Sequence, residues 1–296
     1  MNQSMFTVLV VDDTESNIDI LLDILGEEYD ISVALDGQTA IEIATSQKID
    51  LILLDIMMPD MSGFDVCKIL KEQPSTKNIP IIFITSKTDE NSIEEAYEIG
   101  GVDYVTKPFR YKELRARVKT HIDLKNLIDH LDHIASYDML TGLYNRRKFF
   151  ELATNKFNQK KENLFAVMLD IDKFKLINDT YGHAVGDKVI QSVASIVDNF
   201  IGKMTVLGRL GGEEFAIVCN SNNIQSVFTT IEQIRTTIDN AELLLDDGEV
   251  VKYTVSFGIA SYKDEFKFID HLLQEADKAL YEAKGSGRNR TIFRYL

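Results

Sequence analysis

The sequence predicts an α/β protein of two domains, the first built on a doubly wound, five-stranded parallel sheet. The chain has 296 residues, too many for one ordinary hydrophobic core, and 45% of them are hydrophobic, as in globular proteins. Up to about residue 120, short apolar runs alternate with segments of helical periodicity. This alternation is typical of a parallel sheet with helices on both faces.

Five apolar runs in this first part are predicted to be strands, and four segments between them are predicted to be helices. The strands are Thr7–Val11, Ile31–Leu35, Leu51–Leu54, Ile81–Thr85 and Tyr104–Val105. The helices are Asn17–Leu25, Gln38–Ser46, Gly63–Lys71 and Ser92–Ile99. In sheets of this kind, ligands gather at the carboxyl ends of the strands.

Polar side chains follow four of the predicted strands at that edge. They are Asp12 and Asp13 after the first strand, Asp55 after the third, Thr85 and Ser86 at the end of the fourth, and Lys107 after the fifth. Three carboxylates placed so close together repel one another unless a cation joins them. We therefore expect a magnesium site at this edge, since magnesium prefers oxygen ligands.

The stretches LVVDD, LILLDIMMPDMSGF, FITS and YVTKPF resemble the receiver domain of two-component response regulators, over residues 1–120. The resemblance implies a flavodoxin-like fold in which Asp55 is the phosphoacceptor. It implies one magnesium ion, held by Asp12, Asp13, Asp55 and the backbone carbonyl of Met57. A cognate histidine kinase or another phosphodonor is then the expected partner.

The same resemblance assigns the switch residues of the receiver. Thr85 would contact the phosphoryl group, Lys107 would pair with it, and Tyr104 occupies the aromatic switch position. The bond between Lys107 and Pro108 is expected to be cis, and cis peptide bonds in proteins occur almost only before proline.

A long helix is predicted next, because no Gly or Pro occurs from Phe109 to about Ser136. Leu124, Leu127, Leu131 and Ile134 recur at spacings of three and four, which is coiled-coil spacing. A helix packed on its own domain is the alternative. We expect residues 121–136 to be a helical linker that continues the last receiver helix.

Paired acids mark the second half of the chain. The stretch LFAVMLDIDKF is predicted to be a strand that ends in Asp170 and Asp172, which share a face because strand side chains alternate. The stretch RLGGEEF is predicted to be a hairpin in which Gly211 and Gly212 take the positive φ angles of a tight turn. Alone, such a hairpin favours a solvated turn in which the charges have no specific role.

Further polar groups lie around Gly182 and Gly186, which are predicted to interrupt a helix. Asn178, His183 and Asp187 lie in or beside the resulting loop, and their side chains suit a pocket that reads the edge of a base. Basic residues that include Lys284 and Arg288 lie around the C-terminus of the last helix, which is predicted to end near Gly285. They indicate either a phosphate contact or cations that cap the helix.

The stretches DMLTGLYNRRKF, DIDKFKLINDTYGHAVGD, RLGGEEF and KALYEAKGSGRNR together resemble the GGDEF domain of diguanylate cyclases, over residues 137–296. The resemblance implies an α+β fold with an antiparallel central sheet, akin to nucleotidyl cyclases and polymerase palms. It implies two magnesium ions, held by Asp170, the backbone carbonyl of Ile171, Glu213 and Glu214. Glu213 and Glu214 would be catalytic, with Glu213 as a candidate general base.

The resemblance also implies the substrate contacts. Asn178 and Asp187 would contact guanine, His183 would lie near the nucleotide, Lys175, Lys284 and Arg288 would hold phosphates, and Gly211 and Gly212 would leave room for the nucleotide. The Asp187 carboxylate favours guanine, because it accepts from the N1–H and exocyclic amine that adenine does not offer as a pair.

The expected activity is a phosphorylation-activated diguanylate cyclase, in which a homodimer condenses two GTP into cyclic di-GMP and two pyrophosphates. One alternative is a degenerate module that binds nucleotide without catalysis, which the intact acids disfavour. Another is a cyclase that makes a mixed purine product. One departure from many relatives is Gly202-Lys203-Met204-Thr205, which stands where they carry an inhibitory Arg-x-x-Asp motif.

Composition limits the expected cellular location and the expected partners. No apolar run approaches the roughly 20 residues that span a bilayer, and the N-terminus lacks a secretory pattern. Cys67 and Cys219 are far apart in apolar surroundings, which fits a reducing compartment. The net charge of −15 disfavours nucleic acid as a partner. We expect a cytoplasmic protein with no membrane partner.

Overall fold

The computed structural model describes residues 6–86, 90–159, 161–202, 205–245 and 248–294. Contacts divide the chain into two units, residues 1–131 and 132–296, and each has its own central sheet. The predicted linker, 121–136, lies across that division. Its boundaries at residues 120 and 136 therefore remain predictions. None of the described helices is long and apolar enough to cross a membrane.

The first unit has the predicted five-stranded parallel sheet, in the order β2-β1-β3-β4-β5. The strands are β1 Thr7–Val11, β2 Asp30–Ala34, β3 Leu51–Asp55, β4 Ile81–Thr85 and β5 Asp103–Thr106. The helices are α1 Glu15–Leu25, α2 Gly37–Ser46, α3 Gly63–Glu72, α4 Glu90–Glu98 and α5 Tyr111–Ser136. All the predicted elements are present, and their ends differ from the predictions by no more than two residues.

Strand β3 shows why this sheet forms. All five of its residues are buried, and Ile52 and Leu54 pack into a different hydrophobic cluster from Leu51 and Leu53. Alternate side chains therefore enter cores on opposite faces, as in parallel sheets covered by helices. The strand continues to Asp55 because this residue is still paired with β4. The last residue of this buried apolar strand is therefore a carboxylate, that of Asp55.

Helix α5 changes character along its length. Its first half buries Leu114, Val118 and Ile122. Its second half exposes an apolar stripe, defined here as Leu124, Leu127, Ile128, Leu131 and Ile134, with between 44% and 55% of each residue exposed. The predicted single helix is confirmed, and the packed-helix alternative describes only its first half.

The second unit has a sheet in the order β12-β11-β6-β8-β7, antiparallel except for the pair β11–β12. Its strands are β6 Leu164–Ile171, β7 Val206–Gly211, β8 Glu214–Asn220, β11 Val255–Ser261 and β12 Thr291–Phe293, and β9 Leu243–Leu244 pairs with β10 Val250–Val251 apart from it. The helices are α6 Arg146–Gln159, α7 Phe174–Tyr181, α8 His183–Phe200, α9 Ile224–Asp239 and α10 Ile269–Gly285. The antiparallel sheet implied by the resemblance is confirmed.

The predicted loop between Gly182 and Gly186 is wrong. Gly182, with a φ of 84°, separates α7 from α8, but Gly186 lies buried inside α8. A Cβ at Gly186 would overlap Asn178 and approach Phe174, so this glycine permits close packing of α8 on α7. His183 and Asp187 consequently lie on the first turns of a helix.

Candidate functional site

Three carboxylates meet at the carboxyl edge of the parallel sheet, as predicted. Ligand oxygens of Asp12, Asp13 and Asp55 all lie within 4.8 Å of one another. Asp12 and Asp55 are buried and Asp13 is exposed, so the cluster opens to solvent on one side. A set of hard oxygen donors of this kind fits magnesium.

Lys107 is the counter-charge of this cluster. Its Nζ lies 2.8 Å from Asp12 Oδ2 and 2.6 Å from Asp55 Oδ2. Burial alone would lower the pKa of Lys107, but its hydrogen bonds and charge interactions with the two aspartates outweigh burial and raise it. Burial raises the pKa of Asp55, although Lys107 opposes that change.

The other predicted receiver residues differ in their surroundings. Thr85 is buried at the end of β4, and the backbone N–H of Met57 donates to Asp55 Oδ1 at 3.3 Å. Tyr104 packs instead edge-on against Tyr97, with ring centroids 6.4 Å apart. The Lys107–Pro108 bond is cis, as expected.

The RLGGEEF hairpin joins β7 to β8, but its turn lies one residue later than predicted. Gly211 pairs with Glu214, so Gly212 and Glu213 are the two turn residues, and Gly212 has a φ of 52°. A register shift between Arg209 and Gly211 accounts for the difference, because the extra residue is absorbed in the strand before the turn.

Asp170 faces this hairpin from the neighbouring strand. It pairs in register with Glu214, so the two side chains emerge on the same side of the sheet. Only 6% of Asp170 is exposed, and burial raises its pKa from 3.8 to about 6, with additional repulsion from Glu213 and Glu214. Lys284 opposes this rise, with Nζ 2.8 Å from Asp170 Oδ2.

The three acids of the second unit fit a site for hard cations, although their oxygens do not converge. Among the described residues, only the Asp12, Asp13 and Asp55 cluster has all its ligand atoms within 4.8 Å. Glu213 and Glu214 nevertheless help to raise the pKa of Asp170, as nearby carboxylates do. A cation would relieve this repulsion, and magnesium suits an all-oxygen set.

Asp172 lies two residues after Asp170 and has a different role. Its carboxylate accepts hydrogen bonds from Thr254 Oγ1 and Ser256 Oγ, both at 2.7 Å, and from the backbone N–H of Asn289 at 3.0 Å. Asp172 therefore fixes the segment after α10, in which Arg288 and Asn289 have positive φ angles of 62° and 44°. Its oxygens are already occupied by protein donors.

The predicted base-reading residues lie on α7 and α8. Within the described part of the chain, the buried Oδ1 of Asn178 has no hydrogen-bond partner. A buried amide oxygen without a partner is costly in a folded protein, so Asn178 is a candidate for a ligand contact. Asp187 and His183 are exposed on α8, and Lys175 is exposed on α7.

Arg209 is a residue of the site that sequence reasoning missed. Its Nε donates to the carbonyl of Gly212 at 2.9 Å, and its Nη1 donates to both oxygens of Asp138, at 3.0 and 3.2 Å. Asp138 also accepts from the backbone N–H and hydroxyl of Thr141. Arg209 thus ties the acidic turn to the segment after α5, and both partners were visible in quoted motifs.

The segment that departs from the inhibitory motif is only partly described. Lys203 and Met204 lie outside the described residues. Gly202 and Thr205 are described, and the backbone N–H of Thr205 donates to the carbonyl of Gly202 at 3.0 Å.

Each half of the chain matches a known protein family. Residues 135–290 match the family described as diguanylate cyclase, GGDEF domain, and residues 8–119 match the response regulator receiver domain. The chain is 30% identical to the response regulator PleD of Caulobacter vibrioides over 296 aligned positions, which cover 96% of this chain and 65% of that protein. It is 38% identical to diguanylate cyclase A of Treponema denticola, over 52% of this chain and 43% of that protein.

A solved structure resembles the second half. The crystal structure of the coiled coil and GGDEF domain of DgcB from Caulobacter crescentus, in complex with c-di-GMP, is 33% identical in sequence with a TM-score of 0.56. The match covers 61% of this chain and 99% of that one. The carboxylate edge of the first unit and the acidic hairpin of the second lie within the residues that match the two families. The chain therefore belongs to the diguanylate cyclase GGDEF-domain family, and it carries a response regulator receiver domain before that domain.

Proposed function

We propose that this protein is a diguanylate cyclase that condenses two GTP molecules into cyclic di-GMP and two pyrophosphates, and that phosphorylation of its receiver activates it. The observation that carries the proposal is the pairing of Asp170 with Glu214 beside the Glu213 turn. Three carboxylates at neighbouring strand ends are what a two-cation phosphoryl-transfer site requires.

Two magnesium ions are proposed to bind Asp170, the carbonyl of Ile171, Glu213 and Glu214, and one to bind the receiver cluster. When bound in the cyclase site, they would activate the attacking 3′-hydroxyl and neutralise the triphosphate. Glu213, half-buried in the turn, is a candidate general base for that hydroxyl. The glycines of the hairpin carry no side chains that would exclude the nucleotide.

The remaining substrate contacts follow from the position of each group. Asn178, with its unpaired amide oxygen, and Asp187 are proposed to bind guanine. His183 would lie near the nucleotide. Lys175, Lys284 and Arg288 are proposed to hold the phosphates, because they are cations of the same unit and Lys284 Nζ lies 2.8 Å from Asp170 Oδ2. A carboxylate that accepts two donors from guanine disfavours adenine and therefore a mixed purine product.

Dimerisation is required because each catalytic unit is proposed to bind one GTP. Two units must then face each other with two-fold symmetry. The exposed apolar stripe on α5 supports this step: its residues recur at coiled-coil spacing, and a second copy of the same helix would bury them. In such a dimer, the relative arrangement of the two α5 helices would determine whether the two catalytic units face each other.

The receiver is proposed to supply that control. Phosphorylation of Asp55 adds negative charge and acceptor oxygens beside Lys107 and Thr85, and Tyr104 would respond to the change. A histidine kinase or a small phosphodonor would provide the phosphoryl group. The carbonyl of Met57 would complete the metal ligands. Because Gly202 and Thr205 replace the arginine and aspartate of the inhibitory motif, product is proposed not to inhibit through that segment.

Product identification tests the proposed reaction. The protein is incubated with magnesium and either GTP, ATP or an equal mixture, and the products are identified by mass spectrometry. Cyclic di-GMP from GTP alone, with little mixed product from the mixture, is expected. A binding-only module would yield no cyclic product, and a purine-tolerant enzyme would yield the mixed dinucleotide. Asp55→Asn tests the control step: acetyl phosphate should stimulate the unmodified protein and not this variant.

A further inference from the structure

Lys284 occupies the oxygen that a cation would use in the second unit. Its Nζ lies 2.8 Å from Asp170 Oδ2, and only 9% of the Asp170 side chain is exposed. Lys284 itself is about one-third exposed and reaches the carboxylate from the last turn of α10. The two groups thus form a half-buried ion pair at the centre of the acidic site.

Packing of α10 against the sheet positions the Lys284 ammonium. Gly258 of β11 lies against the backbone of α10 at Ala276 and Leu280, so closely that any side chain there would overlap the helix. Helix α10 is therefore held near the sheet, and its last turn is held near the end of β6. The backbone N–H of Ser286 donates to Glu282, which completes the end of the helix.

An ammonium and a divalent cation compete for the same carboxylate oxygen. A metal that binds Asp170 through Oδ2 must displace Lys284, and displacement leaves a positive charge beside a new positive charge. The long, flexible side chain of lysine can move to another anion without movement of its backbone. A nucleotide triphosphate that arrives with the metal offers such an anion.

We propose that Lys284 holds the Asp170 position while nucleotide is absent and transfers to a phosphate oxygen when nucleotide and metal bind together. The inference rests on the proposed function, because it takes a nucleotide triphosphate as the second anion. Lys284 then couples the two ligands: metal alone binds weakly, and each ligand strengthens the binding of the other by the same factor. The catalytic unit would hold little metal when GTP is absent.

Manganese titration tests this role without measuring turnover. All variants carry Asp13→Ala in the full chain, which removes an exposed ligand of the receiver cluster, so that the titration reports the second unit. Free manganese is followed by electron paramagnetic resonance, with and without the α,β-methylene analogue of GTP. Lys284→Met is compared with Lys267→Met, which removes an exposed cation outside the proposed site, and with Lys284→Arg, which keeps a cation in place.

Without nucleotide, Lys284→Met should bind manganese about tenfold more tightly than the parent, whereas Lys267→Met should differ by less than about twofold. Lys284→Arg should bind manganese as weakly as the parent. With the analogue present, the factor by which nucleotide strengthens manganese binding should be smaller in Lys284→Met than in the parent.

An unchanged or weaker manganese affinity in Lys284→Met without nucleotide would overturn the inference. So would an equal gain in Lys267→Met, because that would reveal a general field effect instead of competition at Asp170. If the analogue binds to none of the variants, the proposed function fails, while the titrations without nucleotide still decide whether Lys284 competes with metal. Should Lys284→Met fail to fold by circular dichroism, the Lys284→Gln variant provides the same comparison.

Discussion

Asp170 is expected to destabilise the metal-free protein, so Asp170→Asn should make the catalytic unit more stable. Burial raises the pKa of Asp170 from 3.8 to about 6. This difference corresponds to about 3 kcal/mol, at about 1.36 kcal/mol for each pKa unit. Only 6% of the residue is exposed, so solvent screening removes little of this cost. An asparagine keeps the shape without the charge, and we expect a gain of about 1 to 3 kcal/mol at pH 8.

The sign of the pH dependence follows from the same two values. Below pH 3.8 the carboxyl is neutral in both the folded and the unfolded chain, so it contributes no difference. Between pH 3.8 and about 6 the folded state retains the proton and the unfolded state does not, so stability falls as pH rises. The advantage of Asp170→Asn should therefore be complete at pH 8, about half as large at pH 5, and absent in stronger acid.

Hydrogen exchange in EDTA measures this change in stability specifically in the catalytic unit. The slowest amides of β6 and β8 exchange through global opening, so their protection reports the free energy of unfolding of that unit. Asp179→Asn, which removes an exposed carboxylate from α7, is the matched control and should change protection little. Lower or equal protection in Asp170→Asn at pH 8, or a gain that does not shrink at pH 5, would refute the reasoning.

Three substitutions test the rest of the catalytic unit. Glu213→Gln removes a charge from the proposed cation site, so turnover should fall at least about 100-fold with an unchanged circular dichroism spectrum, and near-normal turnover would rule out its role. Arg209→Lys removes the guanidinium hydrogen bonds to Asp138 and Gly212, so kcat should fall about tenfold with little change in KM. Adding Asp138→Asn to this variant should lower kcat little further. If the two substitutions lower kcat additively, the two residues do not act through a shared contact. Gly186→Ala places a methyl group against Asn178, so KM for GTP should rise about tenfold in steady-state assays, and an unchanged KM would show that Asn178 does not bind substrate.

The sequence predicted the elements of the first unit well because their signals are local. Strands such as β3 are uninterrupted apolar runs, and their side chains enter cores on both faces. The polar residues that end these strands meet at one edge as a necessary result of parallel topology. The carboxylate cluster of Asp12, Asp13 and Asp55 could therefore be predicted before any coordinates.

The second unit was predicted less well because its details depend on packing between elements. Two glycines at 182 and 186 suggested a loop, but Gly186 is small because α7 lies against α8 at that point. Sequence spacing does not distinguish a glycine that breaks a helix from one that lets another helix approach. The one-residue displacement of the hairpin turn likewise depends on a register shift in β7.

Two ion pairs of the site were also beyond sequence reasoning. Arg209 and Asp138 are 71 residues apart, and Lys284 and Asp170 meet only because α10 packs on the sheet. Each residue was visible in a quoted motif, but the pattern of a motif does not state which side chains of two motifs touch. For Lys284, the phosphate contact remains a prediction, and the structure adds an ion pair with Asp170 that the sequence did not indicate.

The central claim is that a receiver-controlled dimer makes cyclic di-GMP, and the concentration dependence of its initial rate tests this claim most directly. Cyclic di-GMP formation from GTP and magnesium is measured across a dilution series of the protein, with and without acetyl phosphate. We predict that the rate per molecule rises with protein concentration and that acetyl phosphate shifts this rise to lower concentrations, because phosphorylation favours the productive dimer. A rate per molecule that is independent of both protein concentration and acetyl phosphate, or no cyclic di-GMP at any concentration, would contradict the account.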